Sequence, residues 1–269
     1  MELIPLLLTI VFVREEWADA KGESYDLPGS VLYAVSLTLF MYGMTLLPAL
    51  KSVFFIVPGC AGLILFIRHE LRIGFPVLEV SLFRNNRVFA FSGIAALINY
   101  AATYAITFMI SLYLQVSLHL SPQLTGIILA IQPITQAALS PVAGKISDRV
   151  EPAILVSTGM GVTAAGLFLI SFLTTESSIL HVALILLLLG SGYSFFASPN
   201  TNAIMSAVEK KHYGLASGTV ATMRSLGMVL SMCVTSIVFS LFIGPREIGE
   251  QTILEFGRSM KVSFLIFTV

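Results

Sequence analysis

The chain is 269 residues long, with 56% hydrophobic and only 11% charged side chains. The charges of its 15 basic and 15 acidic residues cancel, so the formal net charge is zero. A soluble domain uses about 25% charged residues to help cover its surface, so this composition predicts a chain that lies in a lipid bilayer. The neutral balance argues against a nucleic-acid partner, because phosphate binding needs a basic surface.

Seven apolar segments are long enough to cross a bilayer as helices, since about 20 residues span the roughly 30 Å hydrocarbon core. They cover residues 28–47, 53–67, 88–116, 124–142, 153–174, 180–205 and 215–243, of which the second is short. No charged residue occurs between Arg87 and Lys145, and this stretch is broken at residues 119–122, which predicts a helical hairpin. The predicted fold class is all-α, as a polytopic membrane protein.

Two further apolar runs, residues 3–13 and 262–269, are each too short to span the hydrocarbon alone. Their length leaves two interpretations open. Each run is either a severed helix, or an interfacial anchor or frayed tail.

Cys60 and Cys233 both lie in apolar runs, where a thiol behaves as a small hydrophobic side chain. Neither belongs to a Cys-x-x-Cys or Cys/His cluster, so their spacing supports neither a disulfide framework nor a metal site. The sequence also lacks a zinc-protease, serine-hydrolase or Walker motif in a suitable context. These observations argue against an enzyme and against transport driven by ATP hydrolysis, and they predict no cofactor.

Lysine and arginine residues favour one side of the predicted membrane. If the segment after residue 13 is cytoplasmic, that side collects Arg14, Lys21, Arg68, Arg72, Arg84, Arg87, Lys145, Arg149, Lys210 and Lys211. The opposite side collects Lys51, Arg246, Arg258 and Lys261. Because cytoplasmic loops carry the excess of basic residues, this split predicts the orientation of every span.

Three motifs follow one another in the central hairpin: Tyr113-Leu-Gln115, Ser121-Pro-Gln-Leu-Thr-Gly126 and Gly144-Lys-Ile-Ser-Asp148-Arg149. In this order they resemble the major facilitator superfamily, specifically the EmrB/QacA type of drug:proton antiporter with fourteen spans. Val150-Glu151 replaces the glycine that the family pattern has after the Asp-Arg pair, and Thr125 stands where the family usually has alanine.

The resemblance covers nearly the whole chain. Residues 16–22 and 26–30 resemble the link into the two central helices of fourteen-span members. Three later motifs resemble the tenth and eleventh core helices: Ser198-Pro-Asn-Thr-Asn202, Gly214-Leu-Ala-Ser-Gly218 and Met223-Arg224. The resemblance implies the end of the sixth core helix at 1–13, a cytoplasmic link at 14–27, two linker helices at 28–78, and a carboxy-terminal bundle at 79–269 whose last helix is truncated. The amino-terminal bundle would then be missing, which favours the severed-helix interpretation.

The family resemblance implies a multi-pass transporter of the cytoplasmic (inner) membrane. It would export small apolar or amphipathic compounds in exchange for protons, by alternating access between two bundles. No Asp or Glu lies within the predicted spans, so the chain alone lacks an evident proton-coupling group. The alternative is a non-transporting remnant or membrane scaffold that needs a separately encoded amino-terminal half.

Arg224 is the only charged residue well inside a predicted span, and such a charge is costly unless it faces protein or a water-filled cavity. It is the leading functional candidate, with a structural, snorkelling arginine as an equal alternative. Other substrate-path candidates are uncharged polar residues at helical spacing: Asn99, Thr103, Gln132, Gln136, Ser198 and Asn202. Each either lines a path or only joins helices through hydrogen bonds.

The segment that contains Gly144, Asp148 and Arg149 joins two spans in few residues. Gly144 is expected to provide a tight turn, and Asp148 to place a carboxylate against a helix N-terminus. In the family such a loop is similar to a clasp that engages the other half and releases during alternating access. The alternative is a solvated turn whose basic residues only set the topology.

Two further features predict where helices bend or touch. Pro133, Pro141 and Pro199 each remove a backbone hydrogen bond and can kink a span. Close helix contacts are expected at two pairs of small residues: Gly161 with Ala165, and Gly214 with Gly218.

Overall fold

The computed structural model describes residues 26–74, 76, 78, 80–147, 149–244 and 246–268. These residues form ten α-helices and no strand. The helices are α1 (Leu27–Thr45), α2 (Val53–Glu70), α3 (Val80–Asn85), α4 (Arg87–Leu112), α5 (Pro122–Leu129), α6 (Ile131–Ser147), α7 (Pro152–Ile170), α8 (Ile179–Ser206), α9 (Tyr213–Phe242) and α10 (Ile253–Thr268). The predicted runs at 3–13 and most of the predicted link at 14–27 lie outside the described residues.

Seven helical segments among the described residues are long and apolar enough to cross a membrane, and they coincide with the seven predicted spans. The second span is longer than its sequence indicates, because the 3-10 turn Leu50–Ser52 leads directly into α2 and gives 21 helical residues. The all-α polytopic fold class is therefore confirmed.

The helical hairpin in the uncharged stretch is confirmed as well. A π-helical turn, Tyr113–Ser117, ends the first arm, and His119 follows in the left-handed region with φ of 52°. The second arm begins at Ser121, whose hydroxyl accepts a hydrogen bond from the backbone N–H of Leu124 at 3.4 Å. Pro122 occupies the first helical position, where its missing N–H costs nothing.

The second arm is divided at Ala130, which separates α5 from α6. Pro133 lies three residues later and has no N–H with which to bond the carbonyl of Leu129, so the helical ladder is interrupted there. Pro141 and Pro199, by contrast, lie inside helices that continue without a break. Of the three predicted kink sites, only Pro133 coincides with an interruption.

Close helix contacts rest on glycines other than those predicted. A Cβ added at Gly159 of α7 would lie 2.6 Å from the backbone nitrogen of Phe196 in α8, and one added at Gly227 of α9 would lie 2.6 Å from the carbonyl oxygen of Leu97 in α4. No atom lies within 4 Å of a Cβ added at Gly161, Gly214 or Gly218. The expectation for the pairs that contain these three glycines was wrong, because their helix faces meet no neighbour among the described residues.

The hydrophobic core lies towards one end of the bundle, where the π-turn, α7, α8 and α10 meet. Tyr113 belongs to this core, and its hydroxyl donates to the carbonyl of Thr174 at 2.5 Å. Helix α10 starts at Ile253, nine residues before the predicted apolar run, and buries Phe256, Met260 and Phe264 at helical spacing. The last helix is therefore anchored by an amphipathic face that begins before that run.

Helices α1 and α2 form a separate hairpin that packs against α9. The hydroxyls of Tyr33 in α1 and Thr222 in α9 lie 2.8 Å apart, and the hydroxyl of Ser236 in α9 donates to the carbonyl of Leu47 at 3.2 Å. Among the described residues the bundle meets this hairpin mainly through α1.

Asp26 ties the two ends of this hairpin together. Its Oδ1 accepts the backbone N–H of Gly29 at 2.9 Å, and its Oδ2 lies 3.1 Å from Nε2 of His69 in the last turn of α2. The backbone hydrogen bond from Gly29 and the contact with His69 hold the pKa of the Asp26 carboxyl below its usual range. Asp26 therefore both caps α1 and joins it to α2.

Candidate functional site

A cavity of about 700 Å³ opens beside the break between α5 and α6. Helices α4, α6, α8 and α9 surround it, and Leu129 at the end of α5 completes the wall. This volume lies within the range of roughly 300–1,000 Å³ that small-molecule sites occupy. The lining residues are Tyr100, Thr103, Tyr104, Thr107, Phe108, Ser111, Leu129, Gln132, Gln136, Tyr193, Met228 and Met232.

Aromatic rings form one wall of the cavity. Tyr100 of α4 and Tyr193 of α8 meet edge to face with their ring centroids 5.8 Å apart, so they bridge two helices. Tyr104 and Phe108 follow Tyr100 at four-residue spacing on α4, and both are exposed. Rings in this arrangement offer apolar faces to a ligand.

Polar side chains from two helices also line the cavity. Gln132 and Gln136 lie one turn apart on α6, and Thr103, Thr107 and Ser111 lie one turn apart on α4. Thr103 donates its hydroxyl hydrogen to the carbonyl of Asn99 at 2.8 Å, so it is already committed within its own helix. The amides of Gln132 and Gln136 and the hydroxyl of Thr107 also line the cavity.

Arg224 lies outside the cavity wall but next to it. Its guanidinium carbon is 5.9 Å from the centre of the Tyr100 ring, and its side chain is exposed. Met228 and Met232 follow Arg224 at intervals of four on α9, so all three share one helix face. The arginine therefore contributes charge to one end of the cavity without lining it.

The structure brings Thr103, Gln132 and Gln136 together at the cavity and leaves three other predicted path residues elsewhere. Asn99 is buried, and its Oδ1 has no hydrogen-bond partner among the described residues. Ser198 is half-buried near α6, where a Cβ added at Gly144 would lie 3.8 Å from its hydroxyl. Asn202 is exposed. A role for these three remains a prediction.

Several cavity residues are absent from the sequence-based set, notably Tyr193, Met228 and Met232. The two methionines follow Arg224 at four-residue spacing, and this repeat was the available signal. Tyr193 follows Gly192 within an almost wholly apolar span, and no periodicity distinguishes it from a core residue. Its position emerges only when α8 is packed against α4.

The structure partly corrects the prediction for the clasp segment that contains Gly144, Asp148 and Arg149. Gly144 lies within α6, which continues to Ser147, so it provides no turn and that expectation was wrong. Arg149 follows the helix, is exposed, and donates its backbone N–H to the carbonyl of Ile146 at 3.0 Å. Asp148 lies outside the described residues, and its predicted contact with a helix N-terminus remains a prediction.

Comparison with known families gives the evolutionary context of this bundle. The family model described as Major Facilitator Superfamily matches residues 92–266, which include α5 to α9 and nearly all of α4 and α10. The match therefore covers every helix that lines the cavity.

Individual relatives agree with this match. The chain is 29% identical over 248 residues to the uncharacterized transporter YebQ of Escherichia coli, covering 89% of this chain and 53% of that protein. It is 25% identical to the riboflavin transporter RibZ of Clostridioides difficile, covering 88% of this chain and 52% of the relative. It is also 25% identical to the multidrug resistance protein Stp of Mycobacterium tuberculosis, covering 90% of this chain and 46% of that protein.

The chain thus spans about half the length of the curated relatives that it matches. Because the family model covers well over half of the chain, including the complete cavity wall, the chain belongs to the Major Facilitator Superfamily.

Proposed function

We propose that this chain is the carboxy-terminal portion of a fourteen-span, EmrB/QacA-type transporter that exports small apolar or amphipathic molecules in exchange for protons. The cavity of about 700 Å³ between α4, α6, α8 and α9 carries the proposal, because it combines apolar rings with amides in a bundle of otherwise apolar spans. Sites for small molecules have this combination of apolar walls and few polar groups.

The relatives support the proposal that the chain is a transporter and that it is a portion of a longer one. Several are named as transporters or multidrug resistance proteins, and the chain covers about half of each. In this superfamily the substrate site lies between two repeated halves that rock about it. The cavity would then be the contribution of the carboxy-terminal half, with Thr103, Gln132 and Gln136 in direct contact with the substrate.

Arg224 and Arg149 have different roles in this proposal. Arg224 lies beside the aromatic wall and would set the electrostatic potential of the substrate path. Arg149, at the exposed end of α6, would belong with Asp148 to a cytoplasmic clasp against the amino-terminal half. Asn99, Ser198 and Asn202 would extend the polar path away from the cavity.

Co-expression of the two halves tests the proposal. The chain is produced in energised inverted membrane vesicles with and without the amino-terminal half of a relative such as RibZ, and dye transport is followed by fluorescence. We expect transport only when both halves are present, and we expect a protonophore to abolish it. Gln132→Leu combined with Gln136→Leu should lower transport without changing the amount of either half in the membrane.

The same experiment separates transport from the scaffold alternative. Binding of the two halves without transport, in vesicles where an intact relative is active, would favour a scaffold. Transport that persists when the proton gradient is dissipated would contradict proton coupling while leaving the transporter assignment in place.

A further inference from the structure

We infer that the cavity selects planar aromatic heterocycles that carry no positive charge. The inference rests on the proposed function and specifies its substrate class. Three features of the cavity support it: aromatic rings in its lining, glutamine amides in its lining, and a cation at one end with no carboxylate among the described lining residues.

The ring faces favour a flat aromatic ligand. Tyr104 and Phe108 are 47% and 41% exposed and lie one turn apart along the cavity wall. Tyr100 and Tyr193 close the wall by meeting edge to face. Offset stacking on such rings contributes beyond simple area burial, and it requires a ligand with an extended flat face.

The glutamine amides favour a ligand with heteroatoms at its edge. The hydroxyls of Thr135 and Ser140 bond to backbone carbonyls of α6, whereas the amides of Gln132 and Gln136 bond to no described residue. Each amide offers two N–H donors and one carbonyl acceptor. Two such groups one helical turn apart, about 6 Å along the axis, match the ring nitrogens and exocyclic oxygens of a fused heterocycle.

The charge distribution disfavours a cation. The cavity lining contains no Asp or Glu among its described residues, so a bound cation would have no carboxylate partner there. Aromatic faces can also bind cations, but Arg224 already occupies the face of Tyr100 at 5.9 Å. A positively charged ligand would therefore be repelled where a neutral or anionic ligand is not.

A matched series of three-ring compounds tests this inference. The probes are phenanthridine, its N-methyl cation and phenanthridine-6-carboxylate, which share one ring system and differ in charge. Equilibrium dialysis at neutral pH measures their binding to the full chain in lipid nanodiscs, with empty nanodiscs subtracted. We expect the neutral probe to bind about tenfold more tightly than the cation, the effect of one unit charge about 10 Å away at an effective dielectric near 20, and the anionic probe to bind more tightly still.

Two variants with the same change of side chain separate local charge from net charge. Arg224→Gln should reduce the preference against the cation to about threefold or less and should weaken binding of the carboxylate. Arg246→Gln removes an exposed arginine far along the chain, beyond the end of α9, and should leave the preference unchanged. Gln136→Leu should weaken the neutral probe without altering the ratio between the anion and the cation. Circular dichroism and gel filtration confirm that each variant is folded.

The outcomes distinguish this inference from the proposed function. Equal or tighter binding of the cation, or an Arg224→Gln effect no larger than that of Arg246→Gln, would overturn the selectivity while leaving transport in place. If none of the three probes binds above the empty nanodiscs, the inferred preference for planar heterocycles is overturned, and the transport assay with both halves decides the proposed function separately.

Discussion

The guanidinium of Arg224 lies 5.9 Å from the centre of the Tyr100 ring, so a cation on α9 rests on the aromatic wall contributed by α4. Tyr100 in turn meets Tyr193 of α8. Three helices thus converge on one charged and aromatic cluster at the end of the cavity. In an apolar span this contact partly compensates the arginine for lost hydration.

This contact predicts different effects for two substitutions of Arg224. In the transport assay with both halves present, Arg224→Ala should lower transport of an anionic dye about tenfold, because the positive charge beside the path is lost. Arg224→Lys should retain part of the activity, since an ammonium group also binds an aromatic face. Equal transport by Arg224→Ala and the unaltered protein would exclude a functional role for this residue.

Gly227 predicts a stability effect at the contact between α9 and α4. A Cβ at this position would lie 2.6 Å from the carbonyl oxygen of Leu97, so Gly227→Ala should force the helices apart and destabilise the bundle by about 1–3 kcal/mol. Gly218→Ala is the matched control on the same helix, with no atom within 4 Å of the added Cβ.

The control should change stability in the opposite direction. Replacing glycine by alanine in an unobstructed helix stabilises it by about 0.5–1 kcal/mol. Thermal unfolding in detergent, followed by circular dichroism, measures both variants. If the two substitutions shift the transition equally, the close approach of α9 to α4 is not what Gly227 provides.

Tyr113 provides a second test of packing at the core end of the bundle. Its hydroxyl donates to the carbonyl of Thr174 at 2.5 Å, so Tyr113→Phe should cost about 1 kcal/mol, the usual net value of one hydrogen bond. Tyr104→Phe removes a hydroxyl from an exposed side chain within α4 and should have a smaller effect. The two midpoints of thermal unfolding are compared, and a larger loss for Tyr104→Phe would contradict the prediction.

Asp26 predicts a pH dependence of the α1–α2 hairpin. The pKa of its carboxyl is lowered in the folded chain, chiefly by the hydrogen bond from the N–H of Gly29, so the folded state favours the charged form. The stabilisation is therefore complete above the ordinary pKa of 3.8 and is lost as the pH falls through the lower folded-state pKa.

Hydrogen exchange in the first turn of α1 measures this effect. Protection should be greater in the unaltered chain than in Asp26→Asn near neutral pH, and the difference should shrink in acid. Asn can still cap a helix, so the comparison isolates the charge. A difference that grows as the pH falls would have the wrong sign for a carboxyl with a lowered pKa.

The seven spans could be predicted from the sequence because hydrocarbon leaves the backbone few alternatives. A lipid-exposed segment must satisfy its own N–H and carbonyl groups, so about 20 apolar residues predict a helix wherever they occur. The break at residues 119–122 was visible in the sequence because serine followed by proline is typical of the start of a helix. The left-handed conformation of His119 was found only in the structure. The order of the motifs also indicated the superfamily.

Which residues meet across helices was decided by the tertiary structure. Gly161 and Gly218 have the same local sequence signature as a packing glycine, yet the helices touch at Gly159 and Gly227 instead. Gly144 illustrates the same limit, because a glycine near a predicted loop is equally compatible with the interior of α6. Hydropathy determines that a segment is buried in lipid or protein, but the rotation of each helix about its axis depends on its neighbours.

The cavity is the clearest result of that rotation. Polar spacing along single helices identified Thr103, Gln132 and Gln136, because uncharged polar groups at four-residue intervals are detectable within one span. Tyr193 could not be found in this way, since its position at the wall depends on the contact between α8 and α4. The sequence by itself determined the membrane, the spans and the family, because those depend on local composition and order. Only the tertiary structure determined which side chains share the cavity, because that depends on helix packing over more than a hundred residues of sequence separation.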